Sequence, residues 1–112
     1  MHRDGCIFCK IAKGQAHAHI VYEDERAMAF KDLYPQSPTH ILIIPRVHYD
    51  SLKVTDDEGL IGHLFTVARN VAEKQGLTDY RIVTNVGPKA GQSVFHLHIH
   101  LLGGRHMGWP PG

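Results

Sequence analysis

The stretch that decides the fold is Ser93-Val94-Phe95-His96-Leu97-His98-Ile99-His100-Leu101-Leu102. In an extended strand, alternate side chains point to the same face of the sheet. A strand over residues 94–102 therefore turns four apolar side chains toward a core: Phe95, Leu97, Ile99 and Leu101. It turns the three histidines, His96, His98 and His100, toward the other face. A helix would instead scatter successive imidazoles about 200° apart, so only a strand makes them one site.

Three uses of this histidine face stay open from the residues alone. It can be a solvated polar face, although threonine, lysine or glutamate would serve there as well. It can be a catalytic metal site, because two histidines two positions apart on a strand can bind Zn²⁺ and leave a coordination position open. It can also carry out covalent catalysis through an imidazole nitrogen.

The rest of the chain predicts strands on both sides of one long helix. Apolar runs at 20–22 and 27–30 flank a turn, and residues 40–45 have the composition of a central strand. Further strands are expected at 80–85 and 94–102, and a short helix at 7–11. This order predicts an α+β domain built on an antiparallel sheet.

The long helix is expected to begin at Thr55, because Thr55 to Glu58 has the form of a capping box. Gly76 is a natural C-terminal stop. The apolar positions between them follow one helical stripe. That stripe consists of Leu60, Ile61, Leu64, Phe65, Ala68, Val71 and Ala72.

Length and charge narrow the class of protein. The 112 residues predict one domain, 1–112. Twelve basic and eleven acidic residues give a net charge of +1, which does not favour binding to duplex nucleic acid or to an acidic membrane. Residues 1–5 lack the apolar run of a signal peptide, and two cysteines three positions apart make no disulfide framework. We therefore expect a cytoplasmic protein.

Ten histidines in so short a chain indicate chemistry near neutral pH.

The chain resembles the histidine-triad superfamily, and in particular its Hint-like branch. Residues 96–102 match the pattern His-φ-His-φ-His-φ-φ, where φ is apolar. Residues 32–40 (DLYPQSPTH), 91–96 (GQSVFH) and 102–112 (LGGRHMGWPPG) are also similar to Hint proteins. The resemblance implies a fold of about five antiparallel strands with one long and one short helix.

The resemblance also implies a mechanism, in which His98 attacks the α-phosphorus of a purine nucleoside phosphoramidate or related AMP conjugate. A covalent nucleotidyl-histidine intermediate is then hydrolysed by water. The phosphoryl oxygens would be met by His100, Gln92, Ser93 and Asn85, with His40 nearby. No catalytic metal is expected in this scheme.

The residues that match family positions also imply how the nucleoside part of the substrate would bind. The base would lie between Phe8, Ile11, Phe30 and Leu33, for which ordinary core packing is the alternative. Asp32 would accept hydrogen bonds from the ribose hydroxyls. Gly91 ends a loop that begins at Gly87 and suits a close approach of phosphate.

Cys6 and Cys9 allow a redox pair, a metal half-site or two small core residues. No thioredoxin-like context surrounds them. Several bacterial histidine-triad relatives complete such a pair with two histidines, which here correspond to His48 and His96. The result would be a closed, structural Cys₂His₂ zinc site, although the best-known Hint proteins lack this cysteine pair.

The resemblance further implies a two-fold dimer, with the tail 103–112 lying across to the neighbouring subunit. Three other functions stay open. They are hydrolysis of dinucleoside polyphosphates, non-catalytic binding of a nucleotide or a protein partner, and metal-dependent hydrolysis with the triad as ligands.

Overall fold

The computed structural model describes residues 5–112. Residues 1–4 lie outside the described range, and they include most of the segment from which we expect no signal peptide. Two helices and five strands follow one another in this range, and two 3₁₀ turns lie at Leu52–Val54 and Pro88–Ala90. The elements are α1 (Ile7–Ala12), β1 (Ile20–Glu23), β2 (Ala27–Lys31), β3 (Thr39–Pro45), α2 (Glu58–Lys74), β4 (Tyr80–Val83) and β5 (Ile99–Gly103).

The five strands form one sheet in the order β1-β2-β3-β5-β4, and every neighbouring pair is antiparallel. The predicted α+β class, with five strands, one long helix and one short helix, is confirmed. No helix within residues 5–112 has the length and apolar character needed to cross a bilayer.

The central strand β3 is apolar from Ile41 to Pro45, and both of its faces are covered in this part. Ile41 and Ile43 lie in a core with α2, whereas Leu42 and Ile44 pack with Phe8 of α1. The two helices therefore cover opposite faces of the sheet. The even-numbered positions of β3 and β5 face α1, and this is the side on which the site is built.

The start of α2 differs from the prediction. The helix begins at Glu58, and its N-cap is Asp57, whose Oδ1 accepts a hydrogen bond from the backbone N–H of Leu60 over 3.0 Å. Thr55 cannot cap it, because the Thr55 hydroxyl donates to the main-chain oxygen of Ser51. Gly76, with φ +75°, follows the C-cap residue as predicted.

The predicted stripe of α2 is largely correct. Leu60, Leu64, Ala68, Val71 and Ala72 are buried in the core. Phe65 was assigned to this stripe wrongly, since it is 41% exposed, and Val67, which the pattern missed, is buried instead. The buried face of α2 therefore includes Val67 in place of Phe65.

The histidine strand is shorter than predicted. β5 runs from Ile99 to Gly103, residues 94–98 lie outside the ladder, and β4 ends at Val83. The backbone N–H of Leu97 donates to the oxygen of Tyr49 rather than to a neighbouring strand. Alternation nevertheless persists, because Leu97, Ile99 and Leu101 are buried in the α2-side core. Phe95 was predicted there too, and that is wrong: it is 48% exposed.

Candidate active site and metal centre

A cavity of about 350 Å³ opens on the α1 side of the sheet. Part of its wall is apolar and part is polar, and most of the predicted site residues contribute to it. They are Phe8, Ile11, Phe30, Asp32, Leu33, Ser93, His98 and His100. Leu33 is 83% exposed, so it stands at the rim instead of enclosing a base from both sides.

His98 lies in this wall with one ring nitrogen fixed by the backbone. Nδ1 donates a hydrogen bond over 2.8 Å to the main-chain oxygen of His96, and the ring meets Phe8 edge-on at 5.2 Å. Burial lowers the pKa of His98, against the opposing effect of that hydrogen bond. A neutral imidazole whose proton is on Nδ1 keeps a lone pair on Nε2. His98 therefore has the protonation state that a nucleophile needs.

His100 has the opposite tautomer, which is set by a chain of hydrogen bonds. The backbone N–H of Gln36 donates to Nδ1 of His40 over 3.0 Å, so the proton of a neutral His40 must lie on Nε2. That Nε2 lies 2.8 Å from Nδ1 of His100 and donates to it. The proton of His100 is thereby placed on its own Nε2, which makes His100 a hydrogen-bond donor.

Both of these imidazoles are kept neutral by their surroundings. Burial, together with the neighbouring His98 and His40, lowers the pKa of His100 to about 4. Burial also lowers the pKa of His40, although the carboxylate of Asp32 opposes this. The pair can donate hydrogen bonds near neutral pH without carrying a positive charge.

Asp32 approaches the same pair from the loop after β2. Its Oδ1 accepts from the backbone N–H of Tyr34 over 2.8 Å, and its Oδ2 lies 3.4 Å from Nε2 of His40. Ligand atoms of Asp32, His40 and His100 lie within 4.8 Å of one another. The donor set does not suit a metal, because Nδ1 of His40 accepts from Gln36 and its Nε2 would have to lose its only proton.

Three other predicted residues lie in the segment before β5 and do not form part of the cavity wall, namely Asn85, Gly91 and Gln92. Gln92 was predicted to donate to phosphate, but its Nε2 donates to the main-chain oxygens of Asp50, outside this segment, and of Val94. Asn85 packs near Gly91, where a Cβ atom would lie 3.6 Å from the Asn85 amide nitrogen. Gly87 and Gly91 have φ of +90° and +100°, which a residue with a side chain rarely adopts.

A second cluster, which we call the metal cluster, consists of Cys6, Cys9, His48 and His96. Their ligand atoms all lie within 4.8 Å of one another. Nδ1 of His96 is 3.3 Å from Sγ of Cys6 and 3.5 Å from Sγ of Cys9, and Nδ1 of His48 is 3.3 Å from Sγ of Cys9. Tetrahedral zinc bonds would separate sulfur from nitrogen by about 3.6 Å, so these distances fit.

The outer nitrogens of both histidines confirm the fit. Nε2 of His48 donates to Oδ1 of Asp50 over 2.8 Å, and Nε2 of His96 donates to the oxygen of Pro45 over 2.9 Å. Each ring is held in the tautomer whose Nδ1 lone pair points at the thiols, as is typical of zinc ligands. Burial raises the pKa of the Cys6 thiol, and a bound cation would reverse that effect. The residues fit a structural zinc ion.

The triad is therefore divided between two sites. The ring of His96 is completely buried in the metal cluster, whereas His98 and His100 line the cavity. The three imidazoles do not form one ligand set among residues 5–112. This geometry is the chief obstacle to metal-dependent hydrolysis by the triad.

Sequence reasoning missed two residues that hold these sites together. Gln36 acts through its backbone N–H, so its side chain carries no signal. Asp50 follows His48 by two positions, and a carboxylate so close to a candidate ligand is a signal that could have been used.

The fold and the cavity together define a small α+β protein whose reactive groups are imidazoles at the start of β5. Comparison with known proteins gives the family: residues 13–107 match the HIT domain, and the chain belongs to that family. The matched range leaves out Cys6 and Cys9.

Relatives and solved structures agree with this assignment. A 14 kDa zinc-binding protein of Zea mays is 50% identical in an alignment of 111 residues that covers 95% of this chain and 87% of the relative. An uncharacterized HIT-like protein of Synechococcus elongatus is 49% identical over 95% of this chain and 96% of its own length. The crystal structure of a HIT family hydrolase from Legionella pneumophila superposes with a TM-score of 0.92 and 48% identity, covering 96% of this chain and 99% of that one.

Proposed function

We propose that the protein is a nucleotide-binding hydrolase that cleaves purine nucleoside phosphoramidates, or related AMP conjugates, at the α-phosphorus. The observation that carries this proposal is the pairing of tautomers in one cavity. His98 presents a lone pair on Nε2, and His100 beside it presents an N–H. The ring centroids of the two are 4.9 Å apart. The neighbouring structures named as HIT family hydrolases support the reaction class.

The reaction has two displacements. The Nε2 lone pair of His98 forms a bond to the α-phosphorus while the bond from phosphorus to the leaving nitrogen breaks. The electron pair of that bond goes to the leaving nitrogen, which takes up a proton and departs as an amine. Water then attacks the nucleotidyl-histidine, which releases AMP and returns His98 to its starting state.

The cavity supplies the other functions that this reaction needs. The N–H of His100 meets negative charge on the phosphoryl oxygens in the transition state. Ser93 lines the same cavity as His98, and its hydroxyl is our candidate for protonating the leaving nitrogen. Phe8, Ile11 and Phe30 offer an apolar wall to the base, and Asp32 accepts from the ribose. Asn85, Gly91 and Gln92 stay predictions as nucleotide contacts.

A dinucleoside polyphosphate is the alternative substrate, because the same attack would release a nucleotide in place of an amine. The tail after β5, which is similar to Hint proteins, favours the phosphoramidate. Kinetic comparison of the two substrate classes at equal concentration would decide between them. Non-catalytic nucleotide binding predicts AMP binding without turnover.

We also propose that the protein is a cytoplasmic homodimer. Cys6 and Cys9 are both in the thiol form and not in a disulfide, which suits a reducing compartment. β4 lies at one edge of the sheet, and edges invite pairing. The tail carries Trp109, which is 80% exposed in the single chain. Light scattering at micromolar concentration should give twice the monomer mass, and a monomer alone would contradict the dimer.

The decisive experiment is mass spectrometry of protein quenched rapidly after mixing with an adenosine phosphoramidate. We expect an AMP adduct on His98, and no adduct in His98→Ala. The same variant should still bind AMP, which separates the loss of a nucleophile from the loss of the site. Turnover without any adduct in the wild-type protein would refute covalent catalysis.

A further inference from the structure

Asp50 contacts the metal cluster and the reactive segment at the same time. Its Oδ1 accepts from Nε2 of His48 over 2.8 Å, and its main-chain oxygen accepts from Nε2 of Gln92 over 2.7 Å. His48 is a ligand of the cluster. Gln92 begins the segment 92–98, which carries Ser93 and His98 into the cavity.

The buried side chain of Gln92 closes the loop that precedes this segment. Its Nε2 donates a second hydrogen bond to the oxygen of Val94 over 3.1 Å, and its Oε1 accepts from the backbone N–H of Gly87 over 2.9 Å. Both ends of the loop 87–94 are therefore tied through one amide to the backbone of Asp50.

The second connection runs through His96. Its ring belongs to the metal cluster, and its main-chain oxygen accepts the hydrogen bond that orients His98. The neighbouring Leu97 donates its backbone N–H to the oxygen of Tyr49, the residue before Asp50. The reactive segment is fixed on two sides by groups that also hold cluster ligands.

We propose that Asp50 is a positioning residue that couples zinc binding in the metal cluster to the order of residues 87–98. An ion bonded to four ligand atoms fixes the rings of His48 and His96 more firmly than the contacts between thiols and imidazoles do. Asp50 passes this restraint to the loop through Gln92, and His96 passes it to His98. The inference rests on the proposed function only where it regards His98 as the nucleophile.

Coupling of this kind acts in both directions. If bound zinc orders the loop, then the ties within the loop strengthen zinc binding by the same factor. Breaking the tie at Gln92 must therefore weaken zinc binding as well, although the hydrogen bonds of the Gln92 side chain go to Gly87, Asp50 and Val94. This consequence separates coupling from a purely local role for each residue.

Hydrogen exchange of the whole chain, with chelator and with added Zn²⁺, tests the proposal without measuring activity. We expect zinc to slow amide exchange in 87–98 by about tenfold or more, with little change in the hairpin of β1 and β2. Equal slowing in that hairpin, no slowing in 87–98, or no zinc bound at all would each overturn the proposal. None of these outcomes depends on whether the protein hydrolyses a phosphoramidate.

Variants at Asp50 test its place in the coupling. Asp50→Ala should lower zinc affinity by about 10–100-fold. Asp50→Asn, whose amide oxygen still accepts from His48, should recover most of this loss. Asp56→Ala is the matched control, since Asp56 is an exposed carboxylate six residues along, and it should change nothing. Equal affinities in Asp50→Ala and the control would contradict the role of Asp50.

Gln92→Met tests the link to the loop, because methionine fills a similar volume without hydrogen bonds. Exchange in 87–94 should become faster and should no longer respond to zinc, while zinc affinity falls modestly. A response equal to that of the wild type would overturn the proposal. If this variant does not fold, the wild-type comparison with and without zinc still decides the question.

Discussion

Nε2 of His40 lies 2.8 Å from Nδ1 of His100, across the paired strands β3 and β5. The backbone N–H of Gln36 fixes the direction of this hydrogen bond, because it occupies the other nitrogen of His40. His100 is thus held as a donor toward the cavity, whereas His98, bonded to a carbonyl, is held with a free lone pair. Two neighbouring imidazoles acquire complementary roles from their partners alone.

Without His40, no hydrogen bond from its Nε2 should fix the tautomer of His100. We expect His40→Ala to lower kcat by about 10²-fold, the effect of removing one well-placed donor. His40→Gln should recover part of this loss, because its amide can donate to His100. Long-range ¹⁵N–¹H spectra should show the proton of His100 on Nε2 in the wild type. In His40→Ala they should show a mixture of the two neutral tautomers, with the proton on Nδ1 in some molecules and on Nε2 in others. The exposed His19→Ala is the control, and an unchanged His100 spectrum in His40→Ala would contradict this relay.

The pH dependence of stability should reflect the buried imidazoles. The pKa of His100 is lowered from 6.5 to about 4, so the unfolded chain binds more protons than the folded one between these values. Stability is therefore complete above pH 6.5 and declines as the pH falls toward 4. Urea unfolding at several pH values should show this slope, and His100→Gln should reduce it. An NMR titration of His100 with a midpoint near 6.5 would show that the ring is not desolvated.

Asp32 should distinguish ribose from deoxyribose. Its carboxylate stands in the cavity wall with Oδ1 held by the backbone of Tyr34. Asp32→Asn should raise KM for an adenosine phosphoramidate by about 10–100-fold, the effect of losing a hydrogen bond to a charged acceptor. The 2′,3′-dideoxy analogue should be affected little. Equal losses for both substrates would mean that Asp32 acts on His40 and not on the ribose.

Asp24 should matter for stability and not for catalysis. It accepts from the hydroxyl of Tyr22 over 2.7 Å and from the backbone N–H groups of Arg26 and Ala27 over 2.8 Å, and Nε2 of His63 on α2 lies 2.7 Å away. Burial by itself would raise the pKa of Asp24, but these hydrogen bonds bring it well below its usual value.

Asp24→Ala should therefore cost about 1–3 kcal/mol of unfolding free energy at pH 7. Because the folded carboxyl has the lower pKa, the cost should shrink as the pH falls below about 4. Chemical denaturation of Asp24→Ala and of the exposed control Glu25→Ala measures it. A kcat that falls together with stability would indicate a connection to the cavity that these contacts do not contain.

The antiparallel sheet and its reactive face were readable from the sequence because they depend on local periodicity. Alternation in 96–101 separates core from site wherever the chain is extended, and it held for Leu97, Ile99 and Leu101 even where the ladder ends. The long helix and the central strand followed from the same kind of pattern. The predicted helix start at Thr55 was wrong because Thr55 is the C-cap of the preceding 3₁₀ turn, and its hydroxyl donates to the oxygen of Ser51. The hydrophobic periodicity does not predict such a turn.

The sequence by itself determined which residues could react: three alternating histidines, a cysteine pair and the carboxylate of Asp32. Only the tertiary structure decided how they are shared, with His96 given to the metal cluster and His98 and His100 to the cavity. It also decided which nitrogen of each ring carries the proton. The physical reason is that a tautomer depends on its hydrogen-bond partner, and partners such as Gln36 and Pro45 are backbone atoms brought there by strand register and loop path.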